Sequence, residues 1–286
     1  MIKTTERLYD IASSPWSVLA GTIASVLSFC WLVYEKLISQ KPGLLSLMVF
    51  FLCIAFFLIA GIYSAVIRRK VQAFQAAMYK IHRINHGYRD VLRAMFHRHN
   101  PITDRSQLVV AEEKTLRSVC QKICSIYEGL IGRPCLATVK LITKESNGKR
   151  YCSTYIRSEE NCERDNDPMQ YEIGKLLNTA FDQALLPSNL GLCSHFFSAD
   201  LTKERNYNNQ RQHWQRYYRS TIVVPIRSVA QDSTDTADDV AFLCIDTMSQ
   251  NRLNERYHLQ LLAGFADQMY NFISLMRGKY KVIVEA

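Results

Sequence analysis

The side chains best suited to binding chemistry lie in one polar and aromatic stretch, residues 192–218, and directly beside it. Aromatic rings next to arginines can stack on a base and hold a phosphate or a carboxylate. The alternative is that the rings complete a core and that the arginines are solvated. Within and around this stretch, the candidate ligand-binding residues are Asn178, His195, Asp200, Trp214, Arg216, Tyr218, Arg219 and Thr221.

Some of these candidates have an ordinary structural alternative. A single histidine such as His195 is more often a structural residue than a ligand group. Asn178 falls inside a predicted helix, where asparagine is a poor helix former. It contacts a ligand if it points inward, and it is a surface residue if it points outward.

No motif for catalysis is visible in the chain. A Ser-His-Asp spacing, a glycine-rich phosphate loop and a His-Glu-x-x-His motif are all missing from the sequence. We therefore predict no catalytic residue and a protein that is not an enzyme. The alternative is a thiol redox enzyme that uses Cys152, Cys162 and Cys193.

The nine cysteines are expected to be reduced thiols of a cytoplasmic chain. None forms a Cys-x-x-Cys pair. The four-residue spacing of Cys120 and Cys124 places both on one face of a helix and is typical of core packing. Cys193 and His195, with Cys152 and Cys162, offer ligands in principle, but the paired short spacings of zinc sites are missing. We predict no metal site, and the sequence names no cofactor.

The sequence predicts an α+β domain with an antiparallel sheet over residues 102–286. Its helices and strands must position the candidate residues. Asn147-Gly148 suits the tight turn of a strand hairpin, and residues 228–239 form a polar, acidic loop. The predicted helices are Ser106–Ile131, Met169–Leu186 and Leu253–Arg277, and the predicted strands are Leu136–Thr143, Tyr151–Arg157, His195–Phe197, Ser220–Ile226 and Val240–Asp246.

This order of elements resembles the GAF domain over about residues 106–277. The local matches are Tyr218–Ile226, Phe242–Asp246 and the helix Leu259–Ile273. The resemblance implies an inner strand beside a ligand pocket, a central strand and a dimerising helix. The signature of cyclic-nucleotide-binding GAF domains is not visible, and Cys193-Ser194-His195 departs from the Cys-His pair that attaches bilins.

Two uncharged stretches, Trp16–Tyr34 and Leu44–Ile67, predict a transmembrane hairpin in residues 1–67. Roughly 20 apolar residues suffice for a helix to cross a bilayer. A signal peptide is the alternative for the first stretch, but no cleavage site follows it. Because Arg68-Arg69-Lys70 follows the second stretch, we expect both termini to be cytoplasmic. The expected location is the inner membrane, with the lipid bilayer as a partner.

Residues 68–100 predict a basic juxtamembrane helix. They carry eight lysines and arginines and one aspartate, or +7 of the chain's net charge of +9. This suits anionic lipid headgroups, and without a recognition motif we expect no nucleic-acid partner. A heptad seam from Val71 to Met95, with Asn85 at an a position, indicates a coiled coil and a homo-oligomer, at least a dimer. The alternative is a helix that lies on the following domain or on the bilayer.

Together these features predict a membrane-anchored cytoplasmic sensor. It would bind a small, nucleotide-type signal and pass it to the membrane segment. This architecture is typical of a ligand-triggered membrane effector in bacterial antiviral defence, an expectation that rests on analogy. The alternative is a membrane-tethered interaction scaffold with a filled, ligand-free GAF-like core, which a pocket well under ~300 Å³ would favour.

Overall fold

A computed structural model of the chain describes residues 15–38, 44–96, 104–159, 170–174, 179–186, 195–228 and 239–285. The chain divides into two compact units, Met1–Ala76 and Ala77–Ala286. The division falls within the second of two N-terminal helices, α1 (Pro15–Ile38) and α2 (Leu44–Met95).

The first unit contains α1 and the first part of α2. Val26 and Cys30, one turn apart on α1, are buried, whereas many other described apolar side chains are exposed, among them Leu27, Phe29, Phe51, Leu52, Ile59 and Ile62. Within the described ranges, however, we find no helix of sufficient length and apolar character to cross a bilayer. The predicted transmembrane hairpin is therefore not supported by the structure.

The second unit is built on a six-stranded antiparallel sheet, as the α+β prediction required. Its spatial order is β3-β2-β1-β6-β5-β4. The strands are β1 (Leu136–Lys144), β2 (Arg150–Arg157), β3 (Tyr171–Ile173), β4 (Phe196–Ser198), β5 (Ser220–Arg227) and β6 (Asp239–Thr247). The helices are α3 (Arg105–Ile131), α4 (Thr179–Ala184) and α5 (Gln260–Glu285), and a π-helical turn (Glu255–Leu259) leads into α5.

Local sequence signals fix the ends of these elements. Asp104 caps α3 by accepting a hydrogen bond from the Ser106 amide at 3.0 Å. Gly132 ends the same helix with a left-handed φ of 68°, and its amide donates to the Glu128 carbonyl. In the β1–β2 hairpin, Gly148 has a φ of 82° and closes a turn onto the Glu145 carbonyl. The predicted hairpin at Asn147-Gly148 is thus confirmed.

One face of the sheet is covered by α3 and α5. Alternate strand residues point to this face, including Ile222, Val224 and Ile226 of β5 and Ala241, Leu243 and Ile245 of β6. They meet buried stripes of both helices. Leu116, Cys120 and Ile123 of α3 and Leu262, Met269 and Ile273 of α5 are completely inaccessible, as their spacing predicted.

The last part of α2 packs on this same helical layer. Ile84, Tyr88 and Met95 are buried, and the Tyr88 ring lies 5.0 Å from that of Phe272. Asn85 is exposed, so the buried stripe passes through Ile84 and leaves the predicted seam at that point. The structure therefore shows the alternative that the sequence left open, a helix lying on the following domain. Self-association of the chain stays a prediction.

The other face of the sheet carries a second, smaller core under a cover of irregular chain. The cover consists of α4 and residues 195–219, which include the 3-10 helices Leu201–Lys203 and Trp214–Arg216. Buried side chains of both layers meet here: Cys152, Tyr171, Ile173, Phe181, Phe196, Leu201, Val223, Phe242 and Cys244. This face is therefore enclosed rather than solvated.

A β-bulge interrupts the pairing of β1 with β2. Thr138 pairs with Arg157 and Val139 with Ile156, but Lys140 pairs with Thr154, so Tyr155 is an extra residue on β2. Because of this extra residue, Thr154 and Arg157 fall on the same face of the sheet.

One predicted element is wrong. The apolar spacing of Met169–Leu186 suggested a single helix, but Tyr171–Ile173 is strand β3, paired with β2 at the sheet edge. Only Thr179–Ala184 is helical in the described part of this segment. Gly174 has a φ of 94°, a left-handed conformation that ends the strand and turns the chain.

Candidate functional site

A cavity lies between the sheet and its irregular cover. Strands β1, β2, β3, β5 and β6 supply its floor and sides, and α4 and residues 207–218 supply the rest. The lining residues are Thr138, Lys140, Arg157, Tyr171, Ala180, Phe181, Tyr207, Asn209, Arg211, Tyr218, Thr221, Val223, Cys244 and Asp246. The site therefore combines buried charge with aromatic rings.

Lys140 brings its ammonium group into the floor of the cavity. Because strand residues alternate, Val139 packs under the helices while Thr138 and Lys140 face the cover. Lys140 Nζ donates to Thr154 Oγ1 at 2.9 Å and lies 4.7 Å from the centre of the Tyr171 ring. Its residue is only 8% exposed, so the charge is largely desolvated.

Arg157 reaches the same floor because of the bulge in β2. Its guanidinium donates to Thr138 Oγ1 and to Thr154 Oγ1, both at 3.3 Å. Lys140 and Arg157 thus converge on one neutral hydroxyl group.

The cover contributes a third cation and a polar network. Arg211 is buried beside Tyr217, with 4.9 Å from its guanidinium carbon to the ring centre. Asn209 accepts from the Arg211 amide and donates to Tyr218 Oη at 2.5 Å and Tyr207 Oη at 3.1 Å. Burial raises the pKa of Tyr207 to about 12, so its hydroxyl is neutral at physiological pH.

Acidic side chains offset part of this positive charge. Asp246 lines the cavity and accepts from Thr221 Oγ1 at 2.7 Å. Asp182 lies close by on α4 and accepts from the Gly174 amide at 2.6 Å. Among the described lining residues, the basic ones are Lys140, Arg157 and Arg211, and the acidic one is Asp246.

The cavity is small. Its volume is about 40 Å³, which is room for roughly three water molecules. Pockets for drug-sized ligands measure roughly 300–1,000 Å³. A larger ligand therefore has to displace part of the cover.

Two of the predicted ligand residues, Tyr218 and Thr221, lie in the cavity wall. That they bind a ligand stays a prediction. Trp214 stands behind the wall, where its ring packs on Tyr207 at 4.9 Å and on Tyr218 at 5.6 Å between centroids. Asn178 lies outside the described residues.

The other predicted ligand residues have no place in the cavity lining. Asp200 caps a 3-10 helix by accepting from the Thr202 hydroxyl at 2.6 Å and from the Thr202 amide at 3.1 Å, and these hydrogen bonds lower its pKa. His195 Nε2 lies within hydrogen-bond distance of Glu255 Oε1, at 3.3 Å. Arg216 and Arg219 are exposed. The candidate residues chosen by their polarity therefore lie in or beside the cover, but polarity did not indicate which of them line the cavity.

Cys152 can be tested against the thiol-enzyme alternative, whereas Cys162 and Cys193 lie outside the described residues. The Cys152 thiol is buried at 0% exposure, and burial raises its pKa to about 12 despite the nearby Lys140 charge. A reactive cysteine needs a thiolate near neutral pH. Cys152 is therefore a packing residue. No cluster of metal-ligand side chains occurs within the described ranges.

Comparison with known proteins adds a likeness of fold. No protein-family model and no curated protein matches the chain. Among solved structures, a GAF domain from a phosphoenolpyruvate-protein phosphotransferase of Coxiella burnetii is 12% identical, with a TM-score of 0.41 over 69% of this chain and 96% of that one. A further GAF domain is 15% identical, with a TM-score of 0.35 over 57% and 85%.

A far-red cyanobacteriochrome photoreceptor is also similar, at 15% identity and a TM-score of 0.35, over 60% of this chain and 96% of that one. These likenesses identify no ligand.

Proposed function

We propose that this chain is a sensor whose second unit binds a small molecule in the cavity between the sheet and its cover. The observation that carries the proposal is the lining itself. Three buried cations and four aromatic rings surround space that opens to solvent. A core that only had to pack would gain nothing from desolvating so many charges. A nucleotide-type signal suits this combination of rings and cations.

Ligand binding can be tested with a variant that fills the cavity. Ala180 lies in the lining at 3% exposure, so Ala180→Leu places a larger side chain in the available space. Gln183→Leu, on the exposed side of the same helix, is the matched control. The full chain, purified in detergent from its host, is denatured and the released small molecules are identified by mass spectrometry.

A molecule released from the wild type and from Gln183→Leu, but not from Ala180→Leu, supports the proposal. The identified molecule, and a panel of nucleotides, should also raise the melting temperature of the wild-type chain, because a ligand that binds only the folded state stabilises it. If no molecule is released and no member of the panel shifts the melting temperature, the sensor proposal fails.

We also propose that residues 1–67 attach this sensor to the inner membrane, with both termini in the cytoplasm. The sequence supports this proposal. Residues 44–67 contain no charged residue, and three basic residues follow them directly. The exposed apolar side chains of the first unit are surfaces that need a cover. Alkaline extraction of cell membranes tests this attachment, because a chain that is released into the supernatant is not integrated in the membrane.

The output of such a sensor is proposed to be the membrane segment, as in a ligand-triggered effector of bacterial defence. Dimer contacts of the helical layer would transmit the signal. Liposomes that carry the full chain should then leak when the identified ligand is added. Intact liposomes with ligand bound would exclude this output and leave the binding proposal standing.

The small enclosed volume favours a second candidate, a membrane-tethered interaction scaffold. About 40 Å³ is well below the ~300 Å³ of a typical ligand pocket. In this case the buried charges of the cavity would favour one fold over alternative folds, and the domain would recruit a protein partner. Release of a ligand from the purified chain distinguishes the sensor from the scaffold.

A further inference from the structure

We propose that His258 is a proton-sensitive latch, which holds the turn before α5 against α3 only while its imidazole is neutral. The latch lies in the π-helical turn Glu255–Leu259, a rare conformation that often occurs at functional sites. It goes beyond the proposed ligand binding, because it belongs to the helical layer and uses no residue of the cavity lining.

The His258 ring takes part in a hydrogen bond in which it can only be the acceptor. The backbone amide of Asn254 donates to His258 Nδ1 at 2.9 Å, and an amide nitrogen offers a proton but no acceptor. Nδ1 is therefore unprotonated, and the proton of the neutral ring is on Nε2. A second proton, added at Nδ1, would set two N–H groups against each other and break this hydrogen bond.

Asn254 and His258 cap the turn reciprocally. Asn254 Oδ1 accepts from the Tyr257 amide at 3.2 Å, while His258 Nδ1 accepts from the Asn254 amide. The His258 amide also donates to the Asn254 carbonyl at 2.9 Å. In an ordinary capping box the second acceptor is a glutamate or glutamine. Because a histidine has that role here, protonation removes the acceptor.

The same residue ties the turn to α3. Tyr127 Oη, near the end of α3, donates to the His258 carbonyl at 2.5 Å, and the two rings lie 5.7 Å apart. Tyr127 is completely buried, and Leu259 of the same turn belongs to the core between the sheet and the helices. Loss of the cap therefore loosens a contact between the start of α5 and α3.

The position of the ring favours its neutral form. Burial lowers the pKa of His258 below 6.5, the value of an exposed histidine. A positive charge in the first turn of a helix is also opposed by the helix dipole. The unfolded chain therefore takes up this proton first, so the turn is most stable above about pH 6.5 and loses stability as the pH falls.

The titratable groups of the neighbouring elements do not supply a compensating charge near the Nδ1 atom. From α3 the group at this turn is Tyr127, and from the segment before β1 it is Cys135. Burial raises the pKa of both, so both are neutral at physiological pH.

The charged groups of the turn itself are engaged elsewhere. Glu255 Oε1 lies 3.3 Å from His195 Nε2, at the start of the cover. The Arg256 guanidinium lies 5.7 Å from the centre of the Tyr257 ring. His195 is the second histidine at this turn and therefore the natural control.

Hydrogen exchange of the full chain in detergent tests the latch. It is measured by mass spectrometry near pH 8 and near pH 5 and corrected for the intrinsic effect of pH on exchange. We expect residues 254–262 to lose protection near pH 5 by roughly tenfold, the loss of about one hydrogen bond, while β5 and β6 stay protected. His258→Gln keeps an acceptor that cannot be protonated, so its protection should be the same at both pH values. His195→Gln should behave like the wild type.

The wild type alone can overturn the proposal, whether or not the variants fold. Equal protection of residues 254–262 at both pH values would show that the cap does not respond to protons. If His258→Gln loses protection near pH 5 as the wild type does, or if His195→Gln abolishes the loss, another group is responsible and His258 is not the latch.

Discussion

Glu112 on α3 offers a sharp test of how the helical layer is stabilised. Its side chain is buried at 6% exposure, and burial raises its pKa to about 7, while the Arg277 charge and a hydrogen bond from Tyr155 act in the opposite direction. An exposed glutamate has a pKa near 4.5. The folded state therefore keeps a proton that the unfolded state has already released between these two values.

The sign of the pH dependence follows from this difference. Below about pH 4.5 the group is protonated in both states and costs nothing. As the pH rises towards 7, only the unfolded chain gains the free energy of ionisation, so the wild type loses stability. At 1.36 kcal/mol for each pKa unit, reduced for partial solvent screening, the loss is about 2–3 kcal/mol. Above pH 7 it stays constant.

Glu112→Gln should remove this loss, because glutamine keeps the shape and cannot ionise. Urea unfolding of the full chain, followed by circular dichroism, should give curves that nearly coincide with the wild type near pH 4. The variant should be more stable by about 2–3 kcal/mol near pH 8. Glu113→Gln, the exposed neighbour, is the control. The Glu113 charge helps to raise the pKa of Glu112, so this variant should show only a small part of the gain. A gain that is the same at both pH values, or that the control reproduces in full, would refute the reasoning.

Three further outcomes are expected from local features. Tyr88→Phe removes a buried hydroxyl without a hydrogen-bond partner and should stabilise the fold by about 1 kcal/mol in thermal unfolding. Gly132→Ala, at a left-handed φ, should cost about 1 kcal/mol in the same measurement, whereas Gly129→Ala inside α3 should add up to about 1 kcal/mol. Native Cys152 should resist alkylation at pH 8 and react only after unfolding, as mass spectrometry can show.

The sheet and its helical layer were predictable because their signals are local. The β-branched residues of β5 indicate a strand, and the apolar stripe of α5 indicates which side of that helix is buried. The edge strand β3 was missed, because the three residues Tyr171–Ile173 are too few for a period-two pattern to outweigh a helical one. Pairing with β2 decides their conformation, and that contact is remote in sequence.

The charged half of the site escaped prediction for a different reason. Lys140 alternates with Val139 and Leu141, which in an antiparallel sheet usually means a solvated face. Here that face is covered by α4 and residues 195–219, so the lysine is buried. Tyr218 and Thr221 were found because they lie in the aromatic stretch or at its edge. The spacing within β2 gave no sign that Arg157 shares their cavity.

The extra residue in β2 puts two neighbouring side chains, Tyr155 and Ile156, on the helical face and returns Arg157 to the cavity face. Deleting Tyr155 would restore plain alternation and leave Arg157 facing the cavity, whereas deleting Ile156 as well would turn position 157 towards the helices. Comparisons of such domains should therefore count residues between paired strand positions before they compare their identities.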